Sequence, residues 1–411
     1  MMATFGVVIS NDTGKDWDWV CEGAVGYESS ENPTLGVTAN DTVLASTFEG
    51  LAVTTDHGCT WAIGASGITD RAVDLAVEAS DAHSAFVLTS AYVGQDDAGL
   101  EYNTRVWVTH DDGATFAQVG ESLEPSLIPQ TVDVAPSDAS RVYVSGTRQI
   151  DGVPNGVLLR STNGGVTFSE LDFPLVADDA GLVDRAPYVA AVDPTNPDRV
   201  YVRVDNIDGT RVLVSDDGLV TTRQVWQAEG QLLGFVLSAD GTKVYAGGPN
   251  DGLYVASSTA LSFTNKTWPG QVECLAFKEG ELLACSNEVS GFAVGASTDD
   301  GATWTPLLHL GCVRGPLACG ATSSVTTTCD PLWAAQQEQL GACVSDDAGT
   351  DSGAAASSDA GKGAAPPSGD QKGGGGCTCS SDGGDAGTSL LAFAFAAATL
   401  AGLAGRHRRS V

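Results

Sequence analysis

The residues best suited to chemistry are five arginines, a few carboxylate clusters and a set of tyrosines lying beside acids and amides. Arg71, Arg105, Arg148, Arg185 and Arg203 are of the type that grips a carboxylate or phosphate through paired N–H donors. Nothing in their flanking sequence selects three of them as a set. Asp178, Asp179 and Asp184 crowd one loop beside Arg185. Paired carboxylates suit acid–base work, yet solvated loop charge is the reading their context favours. A further group runs Tyr92, Gln95, Asp96, Glu101 and Tyr102, followed along the chain by Arg148 with Asp151, Asn206 with Asp208, and Asn250 with Asp251. Aromatics beside carboxylates and amides suit a glycan or a cation. His83 and His309 have no neighbours that give them a role. No CxxC and no Cys/His set with zinc spacing occurs, so no cofactor is expected.

What must position these residues is legible from a repeat. An eight-residue motif recurs at Ser10-Asn-Asp12-Thr-Gly14-Lys-Asp-Trp17, Thr54-Thr-Asp56-His-Gly58-Cys-Thr-Trp61, Thr109-His-Asp111-Asp-Gly113-Ala-Thr-Phe116 and Ser297-Thr-Asp299-Asp-Gly301-Ala-Thr-Trp304. A fifth copy, Ser161-Thr-Asn163-Gly-Gly165-Val-Thr-Phe168, differs in having Asn for Asp. Two copies are worn: Ser215 to Thr222 has Leu219 in the glycine place, and Ser257 to Phe263 keeps only the outline. The starts are separated by 44, 55, 52, 54, 42 and 40 residues. Such a period is one supersecondary unit copied many times.

Each motif reads as a hairpin turn. Ser, Thr and Asp oxygens accept hydrogen bonds from backbone N–H groups a few residues on, Gly supplies a backbone conformation closed to side chains, and the aromatic opens the next strand. His57 and His110 fall at variable places inside the motif and are expected in solvated turns. Before each motif lies a pair of strands with turn residues between them, such as 132–135 with 141–144 around Pro136-Ser-Asp138, or 188–192 with 199–202 around Asp193-Pro-Thr-Asn-Pro197. A third short strand, such as Gly156 to Arg160, leads into the motif. Two strands, a third, the motif and a fourth make a four-stranded antiparallel blade. Seven motifs predict an all-β, seven-bladed β-propeller, closed so that only short sheet edges remain.

The pattern Ser/Thr-x-Asp-x-Gly-x-x-Trp/Phe at blade spacing resembles the Asp-box, or BNR, repeat of the sialidase-like β-propellers, over roughly residues 1–305. The resemblance implies that the boxes sit peripherally, between the third and fourth strands of each blade, as scaffold and not as site. Sialidases of that superfamily use an arginine triad, a Tyr–Glu nucleophile pair and an Asp acid/base, and their first triad arginine lies in Phe/Tyr-Arg-Ile-Pro. That motif is absent here. Box-containing xyloglucanases face two propellers across a cleft, and this chain has one.

Composition narrows the classes further. Lys and Arg number 20 against 52 Asp and Glu, a formal net charge of −32, which argues against nucleic acid and anionic lipid surfaces. Ten cysteines fit an oxidising compartment better than a cytosol. Cys274 and Cys285 flank a Glu279-Gly280 turn and are placed for a cross-strand disulfide; Cys21 and Cys59 are open to pairing with each other; Cys312, Cys319, Cys329 and Cys343 crowd the segment after the last motif. That segment, 306–344, reads as a disulfide-stapled cap with a short helix at 331–340, its connectivity open among three pairings. At the other end, Thr4 to Ile9 reads as a third strand with two strands missing before it. Either an upstream stretch supplies them together with a signal peptide, or residues after 305 complete the blade.

Residues 345–387 lack apolar bulk and read as a disordered linker carrying Cys377-Thr-Cys379. From 388 to 411 a short apolar stretch, Ser389 to Ala404, precedes Arg406-His-Arg-Arg409. This tail resembles the tripartite C-terminal sorting signals of surface proteins, in particular the MYXO-CTERM type. The resemblance implies export, processing by a sorting peptidase near Cys377 or Cys379, and attachment at the cell surface; the alternative is a plain membrane anchor through the C-terminal helix. The expectation is an exported, surface-anchored, non-catalytic propeller that binds a protein or glycan at the cell surface. Its ligand face is expected to include Tyr92, Tyr102, Arg148, Asp151 and Asp208. The alternatives are a diverged sialidase-like glycoside hydrolase and an assembly factor, as in the photosystem II assembly propellers that this pattern also resembles.

Overall fold

The computed structural model describes residues 1–343 apart from 29–30, 65, 97–98, 151–152, 174, 176–183, 207 and 269. Seven antiparallel sheets follow one another along the chain. Here they are called blades 1 to 7, spanning 2–20, 35–63, 72–119, 128–173, 187–228, 234–265 and 274–308. Blades 2 to 7 have four strands each, hydrogen-bonded in chain order. The first strands of successive blades from 2 to 7 touch one another, so they ring the axis and the fourth strands lie outermost. The expected seven-bladed β-propeller is the architecture found.

Alternation explains why these strands form blades. Second and third strands such as Asp138–Ile150 and Val153–Ser161 are apolar on both faces at their centres, because each sheet is covered by a blade on either side. The Val-Tyr-Val centres of two second strands and the Val-Tyr-Ala of a third bury Tyr143, Tyr201 and Tyr245 almost completely. Tyr143 donates its hydroxyl to the Pro197 carbonyl (2.6 Å) and Tyr245 to Asp300 Oδ1 (2.6 Å), each reaching the next blade. A buried phenol therefore satisfies its polar end by joining neighbours.

The repeated motif forms the turn between third and fourth strands, as expected. In blade 4, Ser161 Oγ donates to Asn163 Oδ1 (2.9 Å) and accepts from the Gly165 N–H (2.8 Å), while Asn163 Oδ1 accepts from the Thr167 N–H (2.9 Å). The same bonds recur around Ser10, Asp12 and Gly14, Thr54, Asp56 and Gly58, Thr109, Asp111 and Gly113, and Ser297, Asp299 and Gly301. Trp17 and Trp61 donate their indole N–H to the Gly14 and Gly58 carbonyls (both 3.0 Å). The worn copy at Ser215 keeps the whole set, with Leu219 holding a left-handed φ of 65° where the others place Gly. Its side chain is buried in the core between blades, so packing offsets backbone strain of about 1–3 kcal/mol. The copy at Ser257 lacks the aspartate; the Ser257 hydroxyl meets that of Thr259 and accepts from the Thr259 N–H (3.3 Å), and the Leu261 N–H donates to the Ser257 carbonyl (2.8 Å).

Blade 1 departs from the expectation in an instructive way. Met2–Ala3 supplies one strand before Gly6–Ile9, giving a three-stranded sheet among the described residues. Residues 314–317 do swing back to this blade, but on its outer edge: they run parallel to Asp18–Val20, with Trp19 N–H donating to the Gly315 carbonyl and Leu317 N–H to the Trp19 carbonyl. Arg314 clamps Asp18 through two N–H groups and reaches Asp16.

The cap holds the short helices Ser324–Thr328 and Asp330–Leu340. Cys274 and Cys285 are cross-strand partners and are bonded. The expected pairing of Cys21 with Cys59 is wrong: Cys21 joins Cys329 and Cys59 joins Cys319, leaving Cys312 with Cys343. The reason is geometric. Each of Cys21 and Cys59 lies at the periphery of its own blade, and the cap lies against both blades, so each finds a partner there. These two bonds, with Trp17 Nε1 donating to the Leu307 carbonyl of blade 7 (3.0 Å), tie the chain's start to its end.

Candidate interaction face

Strand order assigns the two faces of the ring. The repeated turns share one face with the first-to-second-strand turns. The second-to-third-strand hairpins share the opposite face with the links between blades, and Tyr92, Tyr102, Arg148 and Asp208 of the expected ligand face belong to these hairpins. Among the described residues, the structure treats the axial end of that face and its rim differently.

Near the axis, polar groups are spent on ties between blades. Register shifts in the first strands of blades 3, 4 and 5 free backbone groups that side chains then satisfy. Asp74 is buried and joins three blades: Oδ2 accepts from the Val132 N–H (2.9 Å) and Oδ1 from the Thr34 hydroxyl (2.9 Å). Burial pushes its carboxyl up to about 7. Asp133, on the next first strand, is raised well above the usual carboxylate range by burial and then by the charge of Asp74. Its Oδ2 is inaccessible and lacks a hydrogen-bond partner among the described residues. Arg203 is buried, lies over the Tyr188 ring (5.0 Å) and donates to the Leu232 carbonyl of blade 6. Tyr188 donates to Gln130 of blade 4 (3.0 Å). Asp184, expected as solvated loop charge, is buried and paired with Arg211.

The rim is built otherwise. In blade 3 the strands Ala85–Asp96 and Gly99–Thr109 outrun their neighbours. Pairing with the first strand ends at Thr89, and with the fourth at Val106. Two loops buttress the base, through Ser90 N–H to the Arg71 carbonyl (3.0 Å) and Tyr102 N–H to the Pro125 carbonyl (2.8 Å). Past those bonds a two-stranded ribbon stands clear, with Tyr92 and Tyr102 in cross-strand register and their rings edge to face at 6.0 Å. Tyr92 is 61% exposed, Val93 57% and Leu100 45%. The blade 4 hairpin extends likewise, exposing Ile150 and Val153 at its tip. In blade 2 the turn places exposed Phe48 with the Arg71 guanidinium over its ring at 4.3 Å. Arg71 also feels the charge of Glu31 and the Tyr102 phenol. Glu31 is itself buried and accepts from the Phe48 N–H (2.7 Å).

Phe48, Arg71, Tyr92 and Tyr102 thus form a set on this face of blades 2 and 3. Of its members the sequence pointed to Arg71 only as one arginine of five, and it missed Phe48 together with Val93 and Leu100. The signal available was a large apolar residue in a turn otherwise built of Thr, Glu and Gly. Arg148, expected on the ligand face, is engaged by Glu170 across the blade 4 sheet, and Arg105 by Asp70 (3.3 Å). Asp208 lies on the blade 5 hairpin, its N–H held by Asn206 (2.9 Å). Asp151, Asp178, Asp179, Cys377 and Cys379 lie outside the described residues. On the opposite face His83 bonds Asp112 (2.8 Å) and His110 bonds Ser84 (2.8 Å), so both histidines hold turns together. Among the described residues no cluster of His, Cys, Asp or Glu is arranged to hold a metal ion, and no helix is long and apolar enough to cross a membrane.

No family model matches this chain, and no curated protein matches it. Solved structures do. A GH74 xyloglucanase from Xanthomonas campestris is similar at 15% identity and TM-score 0.46, covering 69% of this chain and 46% of its own. An ancestral GH74 enzyme is similar at 15% identity and TM-score 0.47, covering 74% and 43%. YCF48 from Cyanidioschyzon merolae is similar at 14% identity and TM-score 0.42, covering 67% and 85%. The chain spans less than half the length of the two GH74 chains. Both enzymes and a protein whose name states no activity are thus among the similar structures, and the fold itself rests on the strand pairing above.

Proposed function

We propose that this chain is a non-catalytic binding module, an Asp-box propeller exported and held at the cell surface, whose working surface is the rim of blades 2 to 4. The observation that carries this reading is the concentration of exposed large apolar side chains there. Phe48, Tyr92, Val93, Leu100, Ile150 and Val153 are all exposed on hairpins of one face, whereas buried polar groups nearer the axis are engaged in ties between blades. Exposed apolar patches on a soluble surface mark interaction sites. Four disulfides support an oxidising compartment. The resemblance of the tail to a sorting signal supports processing near Cys377 or Cys379. The test is to display Phe48→Ser and Tyr102→Ser variants on intact cells and measure capture of cell-envelope protein and arrayed glycans. Loss of capture with unchanged thermal unfolding is the expected result; unchanged capture overturns the assignment of the face. Mass spectrometry of the surface form, still carrying Arg406 to Arg409, would overturn the processing step.

One observation favours a second reading. Asp133 is a carboxyl whose burial, and then the charge of Asp74, holds it well above the usual carboxylate range, the direction in which a glycoside hydrolase displaces its acid. Under that reading Asp133→Asn abolishes hydrolysis of chromogenic glycosides. Absence of any such hydrolysis by the intact chain removes the reading.

A further inference from the structure

Resting on the rim as the working surface and on the tail as the tether, we infer that the cap is a yoke that carries tension. A pull between rim and tail runs through Cys59–Cys319 and Cys312–Cys343 and bypasses the closure of the ring. Connectivity carries this. The segment from Cys312 to Cys319 is bounded by two disulfides. One joins it to Cys343, from which the chain continues towards the tail, and the other enters the ring at Cys59, inside the repeated turn of blade 2. Cys59 lies eleven positions after Phe48, and Cys319 seven after Cys312. Fully drawn out, this route from the rim to Cys343 spans about 6 nm, against about 90 nm along the backbone through blades 3 to 7.

Both parts of the short route are braced. The residues between Cys312 and Cys319 run parallel to Asp18–Val20, through Arg314 N–H to the Trp17 carbonyl (2.9 Å), Trp19 N–H to the Gly315 carbonyl (2.7 Å) and Leu317 N–H to the Trp19 carbonyl (2.8 Å). A pull along this segment loads those bonds and the Arg314 clamp on Asp18 together, not one at a time. The turn that receives Cys59 is closed by the Thr54 hydroxyl, the Asp56 carboxylate and the Trp61 indole. The helices Ser324–Thr328 and Asp330–Leu340 lie off the route, within the loop that Cys312 and Cys343 close. The longer helix buries no residue, so what holds it is its covalent attachment at either end and not a core of its own. Cys21–Cys329 supplies a second, longer route.

The test pulls the full chain in an optical trap between azide handles encoded at positions 48 and 345. Both handles are covalent, so the result does not depend on what the rim binds. The oxidised chain should extend by no more than about 6 nm before the handles detach. Cys59→Ala with Cys319→Ala should raise that limit to about 14 nm, the route then passing through Cys21–Cys329. Reductant added to the native molecule under load should open the ring in successive steps of about 15 nm, one for each blade, to about 100 nm altogether. Blade-sized steps in the oxidised chain overturn the inference. So does a reduced chain that holds the same load without lengthening, since ring closure would then bear it unaided. A short extension together with a rim that captures nothing overturns the working surface alone and leaves the yoke standing.

Discussion

The two faces of the ring handle their polar groups in opposite ways. On the face of the repeated turns, a buried Ser or Thr hydroxyl accepts a backbone N–H and an Asp or Asn accepts another, in six of seven blades. On the opposite face the blade 3 ribbon runs past its pairing with the first and fourth strands and exposes tyrosine, valine and leucine. Closed hydrogen-bond sets make the first face a scaffold. Exposed apolar side chains distinguish the second, on which the proposed surface for a partner lies. Similar blade topology thus yields rigidity on one side and availability on the other, and the difference is set by hairpin length and by which residues occupy the turns.

That contrast can be broken most severely at the ring's closure. Replacing Cys21, Cys59, Cys319 and Cys329 by Ala releases two bonds that join residues 308 and 260 positions apart. The loop-entropy argument predicts a loss of about 5 kcal/mol for either bond alone and more for the pair, read as a lowered urea midpoint. An unchanged midpoint would mean that the cap does not hold the ring. Within the scaffold face, Ser161→Ala leaves the buried Gly165 N–H without its acceptor. A cost of about 1–3 kcal/mol is expected by urea unfolding. On the ribbon, Tyr92→Ser should change stability by less than about 0.5 kcal/mol, so a large loss there would erase the distinction between the faces.

Titration sharpens the comparison. Asp217 and Asp299 in the turns are held down to about 2, by backbone and hydroxyl donors of Thr221 and Thr303 respectively. A depressed carboxyl adds stability above its unfolded value and loses it as pH falls, so the turns should weaken between about pH 4 and pH 2. Asp74 at the axis is displaced upward, to about 7. A raised carboxyl favours the folded state fully below its unfolded value and loses that contribution as pH climbs, so stability should fall between about pH 4 and pH 7. Urea midpoints measured across pH should therefore decline on both sides of a mildly acidic optimum. Asp74→Asn should lessen the decline on the alkaline side alone, the contribution of Asp133 remaining; an unaltered decline would remove Asp74 as a cause.

How much of this was legible in the sequence follows from range. The turns are local: Ser161, Asn163 and Gly165 satisfy one another within eight residues, and their spacing gave the blades, their order and their number. The Cys274–Cys285 bond was legible for the same reason, as a pair flanking one hairpin. Cys21 and Cys59 were misread because their partners lie across the closure of the ring, and closure is not written in spacing. The three-blade tie at Asp74 depends on strand irregularities that no local pattern announces. The Ser215 turn was judged worn from Leu219, yet its hydrogen bonds survive because burial of the leucine offsets the strained backbone. The candidate face was half legible. Tyr92 and Tyr102 stood out as aromatics beside carboxylates and amides, whereas Phe48 had no such context and its partner Arg71 comes from a loop 23 residues on.

Native-state hydrogen exchange on the full chain tests the contrast most directly. The amides of Gly14, Gly58, Gly113, Gly165 and Gly301 should exchange only with global unfolding, while those of Val93 to Gln95 exchange through local opening at little cost. Slow exchange along the ribbon together with rapid exchange at the five glycines would contradict the account.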